Sequence, residues 1–393
     1  MRKNISETSQ QVRKPLIFVT GPFPPPVHGM AIATELLAEA LGERFQVRRF
    51  NIAARRLTGL KVLDIPARML RALWTLASFA WLSFRRRPEV VVIALSVGYA
   101  KVFDLACIAI GLLASRPIYI THHSFVVFNR VTPDRLIKIA LPLLRRCKHI
   151  TLCERMKLEL ISAWNIGDAN VAVLSNAALV RIPTTNFEIG LQPIKSARCD
   201  AFHLGFIANL CAEKGLWTFL DTVDRLQAIG HEVIATIAGP IEPADALLEK
   251  ELEQRLRAMK NVSWLGEVHG RERTQFYLEL DLLVFPTVYP NESEPLVILE
   301  ALAHGVPVMT TPRGCIANSL ADGNAVRVFP EANFVDAAVT AIDSDLKTIR
   351  PQSERKVLAK QHYHHLQGIG EKQFKVLIES VASYSKSIHH DID

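Results

Sequence analysis

Two glutamates, Glu292 and Glu300, are separated by seven residues in the segment NESEPLVILEALAHGVPV. Glu300 lies within the apolar pattern LVILEALA, where an unpaired charge is expensive to bury. Ionised carboxylates only accept hydrogen bonds, so they suit the hydroxyls of a polyol. Most glutamate pairs are solvated surface charges, but this context favours a function. We predict that one carboxylate faces a sugar and the other accepts hydrogen bonds from a ribose.

The segment between these glutamates predicts the start of a helix. Pro295 suits the first turn of a helix, although it has no N–H of its own. The N–H groups of Leu296 and Val297 would have no partner within the helix. A helix N-terminus of this kind favours an anion such as a diphosphate.

The elements that must position these residues follow a repeating pattern. Short β-branched and apolar runs alternate with segments of helical periodicity, which is typical of parallel sheets covered by helices. The sequence therefore predicts an α/β protein with two doubly wound parallel sheets, because 393 residues exceed one ordinary core. The predicted strands are residues 16–20, 47–52, 89–96, 116–124, 149–154, 170–176, 202–208, 231–239, 261–266, 282–287 and 306–311; the remainder of the chain after 311 is predicted to be helical.

Three segments are predicted along the chain. Residues 1–180 form an N-terminal Rossmann-like domain, and residues 181–370 form a C-terminal Rossmann-like domain. Residues 371–393 form a helix that packs back on the N-terminal domain. An irregular stretch with two prolines, residues 178–200, predicts the linker. Ligands of such sheets bind at the carboxyl ends of the strands, so we expect the site in the cleft between the domains.

The net charge of +7 fits nucleic acid, an anionic membrane or a phosphorylated substrate as partner. The sequence has no helix-turn-helix, RNA-binding or zinc-finger signature, so nucleic acid is disfavoured. Segment 62–87 contains Asp64, Arg68 and Arg71, and its uninterrupted apolar part, Ala72 to Phe84, is too short to span a membrane. It is predicted to be a helix that covers the core, with docking on an anionic bilayer as the alternative. The six cysteines form no CxxC pair or metal-ligand cluster, which predicts reduced thiols in a cytosolic protein and no metal site.

The Glu292–Glu300 segment, followed by ALAHGVPV, resembles the signature of glycosyltransferase family 4. The resemblance covers nearly the whole chain and is strongest over about 205–325. It implies the GT-B fold, in which Glu300 binds the donor ribose and Glu292 contacts the transferred sugar. The backbone of 295–297 would hold the diphosphate. Many members have Phe-Gly before this helix, where this chain has Glu294 and Pro295, and both are counted among the candidate donor contacts.

Four further candidates follow from the same resemblance. Lys214 matches a lysine on the donor diphosphate, whereas Asn209 stands in place of an arginine and lacks its charge and its fork of donors. Gly29, in the loop GPFPPPVHGMA, looks like the Gly-rich loop of the family and would allow close approach of a ligand. His123, in YITHHSF, matches a histidine that approaches the transferred sugar. Lys214, Gly29 and His123 also have plain structural interpretations: a helix-start lysine, a Pro-rich turn and a buried histidine. The same resemblance implies that residues 1–180 face the acceptor and that residues 181–370 bind the nucleotide sugar.

The resemblance implies a retaining glycosyltransferase with His123 and Glu292 as catalytic residues, without metal or cofactor. The partners would be a nucleotide diphosphate sugar and a saccharide or lipid-linked acceptor, in bacterial surface polysaccharide or glycolipid synthesis. The protein would lie in the cytoplasm, either free or peripheral on the inner face of the membrane. The alternatives are a non-catalytic sugar-nucleotide-binding subunit and a GT-B-fold epimerase.

Overall fold

The computed structural model describes residues 14–52, 61–128, 134–181, 201–241, 245–347 and 352–390; the side chains of 61–65, 352 and 384–390 are not described. Most of the predicted linker, residues 182–200, lies outside the described part, as do residues 1–13.

The N-terminal domain is built on a six-stranded parallel sheet with the order β2-β1-β3-β4-β5-β6. Its strands are β1 (Leu16–Gly21), β2 (Gln46–Asn51), β3 (Val90–Leu95), β4 (Ile118–His122), β5 (Lys148–Thr151) and β6 (Val171–Val173). Its helices are α1 (Gly29–Gly42), α2 (Lys61–Arg86), α3 (Lys101–Leu113), α4 (Arg135–Leu144) and α5 (Glu154–Trp164).

Helices cover both faces of this sheet. One face packs against α2, α3, α4 and α5 through side chains such as Phe79, Ile108 and Met156. The other face packs against α1 and against the last helix of the chain. Every residue of β3 is consequently buried, which explains why VVVIAL is a continuous apolar run rather than an alternating one.

The C-terminal domain contains a second six-stranded parallel sheet, with the order β12-β11-β10-β7-β8-β9. Its strands are β7 (Phe202–Ile207), β8 (Val233–Ala238), β9 (Val262–Trp264), β10 (Leu282–Phe285), β11 (Val308–Thr310) and β12 (Val326–Val328). Its helices are α6 (Leu216–Ala228), α7 (Ala246–Ala258), α8 (Gly270–Glu279), α9 (Leu296–Ala303) and α10 (Phe334–Lys347). The predicted fold class, two parallel α/β sheets, is confirmed. One prediction is wrong: β12 is a strand, although the remainder of the chain after 311 was predicted to be helical. A strand of three residues is too short to show a repeating pattern of apolar residues in the sequence.

The last helix, α11 (Gln352–His390), joins the two domains. The predicted boundary at residue 370 lies inside this continuous helix. Tyr363 OH donates a 2.6 Å hydrogen bond to the backbone oxygen of Val180. Farther along, Leu377 and Ile378 pack into the core of the N-terminal domain.

A disulfide between Cys153 and Cys315 corrects the prediction of reduced thiols throughout. Cys153 lies directly before α5 and Cys315 follows β11, with the two Cα atoms 6.0 Å apart. The pair is 162 residues apart in sequence, so only the approach of the two domains brings the sulfurs together. Cys107 and Cys147 remain free and buried.

Candidate donor-binding and sugar-binding site in the cleft

Lys214 and Glu292 form an ion pair at the cleft side of the C-terminal sheet. Lys214 Nζ lies 2.7 Å from Glu292 Oε2, and Thr287 Oγ1 donates a 3.1 Å hydrogen bond to the same oxygen. Glu292 is only 9% exposed. The half-buried lysine gives this buried carboxylate a partner, and the attraction between the two charges offsets part of the cost of their desolvation.

The backbone at Gly215 explains how Lys214 reaches this loop. Gly215 has a φ of +90°, and a Cβ there would lie 2.3 Å from the backbone oxygen of Pro286. Only glycine fits such a position without strain. The turn after β7 therefore packs closely on the loop after β10, since these strands are neighbours in the sheet. Tyr289 supports the lysine, with Nζ 4.4 Å from the ring centroid.

Glu300 belongs to a second cluster, with α8. Its Oε2 accepts hydrogen bonds from Arg273 Nη2 at 2.5 Å and from Tyr277 OH at 2.7 Å. Burial, followed by the nearby Glu300 charge, raises the pKa of Tyr277 well above its usual value, so the phenol remains a donor. The sequence analysis missed Arg273 and Tyr277. Their spacing of four residues on a predicted helix was the available signal, since it places both on one face.

His123 approaches from the N-terminal domain, directly after β4. Its backbone oxygen accepts a 2.9 Å hydrogen bond from Ser293 Oγ, and its Nε2 lies 3.2 Å from Thr121 Oγ1. Desolvation in the cleft, together with the nearby His28, lowers the pKa of His123 to about 4. The imidazole is therefore neutral at pH 7 and can both donate and accept a hydrogen bond.

Residues next to His123 and Glu292 join the two domains directly. Ser124 Oγ donates a 3.1 Å hydrogen bond to Asn291 Oδ1. Together with the Ser293 contact, this bond places the segment after β4 against the loop after β10. The structure thus brings the predicted catalytic residues to the same contact between domains.

Asn209 contacts the loop that precedes Gly29, at another crossing of the cleft. Asn209 Nδ2 donates a 3.1 Å hydrogen bond to the backbone oxygen of Val27. Gly29 is the first residue of α1, and a Cβ at this position would meet nothing within 4 Å. The protein itself therefore leaves open space at Gly29, and Asn209 holds the loop that precedes it.

Glu294 lies between the domains. Its two carboxylate oxygens accept hydrogen bonds from the N–H of Asn176 at 2.5 Å and from Ser175 Oγ at 2.8 Å. Asn176 Nδ2 donates to the backbone oxygen of Glu294 at 3.0 Å. Glu294 is 3% exposed, and burial raises its pKa to about 7. The structure therefore gives this predicted donor contact two partners in the N-terminal domain.

The start of α9 carries the other predicted donor contacts. Pro295 caps the helix in an extended conformation, and Leu296 is the first helical residue. Leu296 is buried and Val297 is half-buried. Tyr277 OH also lies 3.4 Å from the backbone oxygen of Val297. The first turn of α9 therefore lies between the Glu292 loop and the Glu300 cluster.

Within the described ranges, no group of three or more His, Cys, Asp and Glu side chains could hold a metal ion. Asp343 and Asp345, which spell a DxD motif, lie in the last turns of α10 rather than in a turn after it. They pair with Lys347 and Arg327 respectively.

Comparison with known proteins assigns the C-terminal domain. Residues 201–347 match the family model described as glycosyl transferases group 1. An uncharacterized glycosyltransferase of Methanocaldococcus jannaschii is 27% identical over 194 residues, which are 47% of each chain. The chain thus spans about half the length of the curated relative that it matches.

Solved structures resemble nearly the whole chain. The structure of HepE from Anabaena in complex with UDP-glucose has a TM-score of 0.65 at 16% identity and covers 93% of this chain and 99% of its own. A glycosyltransferase from Rickettsia africae has a TM-score of 0.70 at 15% identity and covers 95% and 99%. Identities this low show the fold alone. The chain therefore has the GT-B fold, and residues 201–347 of its C-terminal domain match the model of the glycosyl transferases group 1 family.

Proposed function

We propose that the protein is a retaining glycosyltransferase that moves a sugar from a nucleoside diphosphate sugar to a hydroxyl acceptor. One observation carries this proposal: the Lys214–Glu292 ion pair lies in the same contact between domains as the segment of His123. The two domains thereby supply a cation for the leaving diphosphate, Lys214, and two groups that can bond the sugar, the Glu292 carboxylate and the neutral His123.

Lys214 and the start of α9 would stabilise the diphosphate. A fixed cation in a site shielded from water stabilises the charge that develops on a leaving group. Entry of the diphosphate would draw Lys214 away from Glu292. The freed carboxylate would then accept hydrogen bonds from hydroxyls of the transferred sugar.

Neutral His123 would orient the same sugar. At a pKa of about 4 the imidazole carries no charge near neutral pH, so its role is hydrogen bonding and not charge neutralisation. Protonation would place a cation beside His28 in a poorly solvated site.

Glu300 would bind the ribose of the donor. Arg273 and Tyr277 both bond its Oε2, which fixes the orientation of the carboxylate. A carboxylate has about four lone-pair sites, so Oε1 is available for ribose hydroxyls. Because HepE is described with UDP-glucose, we propose a UDP-hexose as the donor.

The proposed acceptor is a saccharide or a lipid-linked saccharide, and the proposed process is the synthesis of bacterial surface polysaccharide or glycolipid. The net charge of +7 and the outer surface of α2 support a location at the inner face of a membrane.

The test is a transfer assay with UDP-hexoses, read as release of UDP and as a labelled product. Wild-type protein should release UDP and form a glycoside with the anomeric configuration of the donor, whereas Glu292→Ala should bind UDP and not transfer. Two other results would replace the proposal. UDP binding without turnover in the wild type indicates the binding subunit, and conversion of the sugar nucleotide without an acceptor indicates the epimerase.

A further inference from the structure

The outward face of α2 is apolar, although it faces away from the core. Leu70, Trp74 and Trp81 are 71%, 74% and 64% exposed. The other large apolar side chains exposed on this helix are Met69, Leu73 and Phe84. Helices on the surface of globular proteins normally turn polar residues outward. On α2 the residues that face the solvent are instead large and apolar.

The inward face of α2 already supplies the packing that the fold needs. Phe79 and Leu82 are buried against the N-terminal sheet, where Phe79 contacts Phe18 and Phe50. The exposed residues recur at intervals of three and four and form a second stripe. The helix is therefore apolar on two sides, and folding of the domain explains only one of them.

The charge around this stripe has one sign. Residues 66–88 contain five arginines, Arg68, Arg71, Arg85, Arg86 and Arg87, and no acidic residue. This segment alone carries +5 of the net charge of +7. Arg85, Arg86 and Arg87 are exposed. The nearest acid along the chain, Glu89, lies beside Arg116.

A neighbouring helix repeats the pattern. On α4, Ile139 is 77% exposed and Leu136 is also exposed. Residues 135–148 contain five basic residues and no acidic one. The acid before them, Asp134, pairs with Lys101. Because α3 packs between α2 and α4 in the layer on one face of the sheet, both helices contribute to the outer side of that layer.

We propose that this surface, the exposed apolar and basic side chains of α2 and α4, docks the protein on a bilayer that contains anionic lipids. Trp, Leu and Phe on one face of a helix, with arginines beside them, match an interfacial helix that lies in the plane of the membrane. The tryptophans suit the headgroup region, where one part of the ring is in lipid and the other in water. Long arginine side chains can extend to the phosphates while the helix lies deeper.

A second copy of this chain does not fit the same surface. In a symmetric dimer the patch would meet itself. The five arginines would then have to find their counter-charges outside residues 66–88, since that segment holds no acid. Like charges at an interface are unfavourable. An anionic lipid surface offers the complementary charge without that penalty.

None of the helices among the described residues combines the length and hydropathy needed to cross a membrane. The proposed contact is accordingly peripheral. It deepens the membrane location suggested above, and vesicle binding in the absence of nucleotide tests it independently of sugar transfer.

The experiment is flotation of the purified protein with vesicles of phosphatidylcholine alone or mixed with phosphatidylglycerol. We expect binding to the anionic vesicles only, weakening as salt is raised because the charges are screened. The Trp74→Ser/Trp81→Ser variant should bind at least about tenfold more weakly, and the Arg85→Gln/Arg86→Gln variant about tenfold more weakly. Tryptophan fluorescence of the wild type should shift to the blue on binding.

The matched control replaces two other exposed apolar residues, Leu247 on α7 and Val376 on α11, with serine. This control should bind vesicles as the wild type does. Equal binding of all variants, or no binding to anionic vesicles, would overturn the proposal. A wild type that sediments as a dimer, with a Trp74→Ser/Trp81→Ser variant that sediments as a monomer, would also overturn it. The face would then be an interface between two copies of the chain. A protein that binds vesicles and transfers no sugar would refute only the proposed function.

Discussion

Glu292 and Lys214 neutralise each other at 2.7 Å, and they come from two loops of the C-terminal domain that are 78 residues apart in sequence. The pair is almost closed to solvent on the carboxylate side. A buried pair is costly to break by removing one partner, yet it can open when a diphosphate replaces the carboxylate as the partner of the lysine. Under the proposed function, this exchange would make the site specific for anions.

Removal of the cation should therefore weaken donor binding. For Lys214→Met we expect a Kd for UDP at least about tenfold higher, since a charge-assisted contact to phosphate is lost. Calorimetry measures it. Lys250→Met, at an exposed position on α7, is the control and should leave the Kd unchanged. An unchanged Kd in Lys214→Met would place the diphosphate elsewhere.

Glu294 should make stability depend on pH. Burial raises its pKa from 4.5 to about 7 in the folded state. The folded protein thus holds this proton more tightly than the unfolded chain does, and stability from this group is full below pH 4.5 and is lost as the pH rises through about 7. The loss should be about 3 kcal/mol.

The measurement for Glu294 is denaturant unfolding of wild type and Glu294→Gln at pH 5 and pH 8. The amide can accept from the Asn176 N–H and donate to Ser175 Oγ, so it imitates the protonated acid. The variant should lose less stability between the two pH values than the wild type, while Glu371→Gln on the exposed side of α11 should behave as the wild type. Parallel pH profiles for wild type and Glu294→Gln would contradict the assignment.

His123 should not titrate in the physiological range. With a pKa of about 4, it stays neutral between pH 6 and pH 8, and kcat should show no inflection from this group there. Loss of its hydrogen bond in His123→Ala should lower kcat by about tenfold to a hundredfold. NMR titration of the imidazole, with the His123→Ala spectrum for assignment, checks the pKa. An imidazole that titrates near 6.5 would show that the cleft is more solvated.

Tyr277→Phe should weaken donor binding without unfolding the domain. The ring that stacks on His304 is kept, while the 2.7 Å bond to Glu300 is lost. We expect the Kd for UDP to rise about threefold to tenfold. This is less than the roughly 1.5–3 kcal/mol of a full charged hydrogen bond, because the lost bond orients Glu300 and does not contact the ligand. Tyr289→Phe, which keeps its ring near Lys214, is the matched control. Equal affinities in both variants would remove Tyr277 from the donor site.

Local patterns predicted the parts of the site that are contiguous in sequence. The strand β10, the loop with Glu292 and the helix with Glu300 are one continuous segment, so periodicity and the Pro295 signal placed them together. Lys214 was predicted from the family resemblance, and its place after a recognisable strand supported that prediction. Local patterns alone did not predict which residues Glu292, Glu300 and Lys214 contact.

Contacts between distant segments left no such signal. Asn176, one of the partners of Glu294, is 118 residues away in sequence. The sequence around Ser175 contains no pattern that predicts a hydrogen bond to a glutamate. Cys153 and Cys315 could be paired only after both sheets were placed. For α2, the sequence favoured a helix that covers the core, which accounts for Phe79 but not for Trp74. A helix with two apolar sides gives no sequence signal for which of them is left outside.

The helix α11 has a consequence for synthesis of the chain on the ribosome. Leu377, Ile378 and Val381 complete the N-terminal core beside Ile17 and Leu37, yet they are translated after the whole of the second sheet. Domains usually fold as they emerge, first domain first. Here the first domain emerges with one flank of its sheet uncovered and must keep it protected while the second sheet is translated. Its core is therefore complete only after residues 377–381 have left the ribosome.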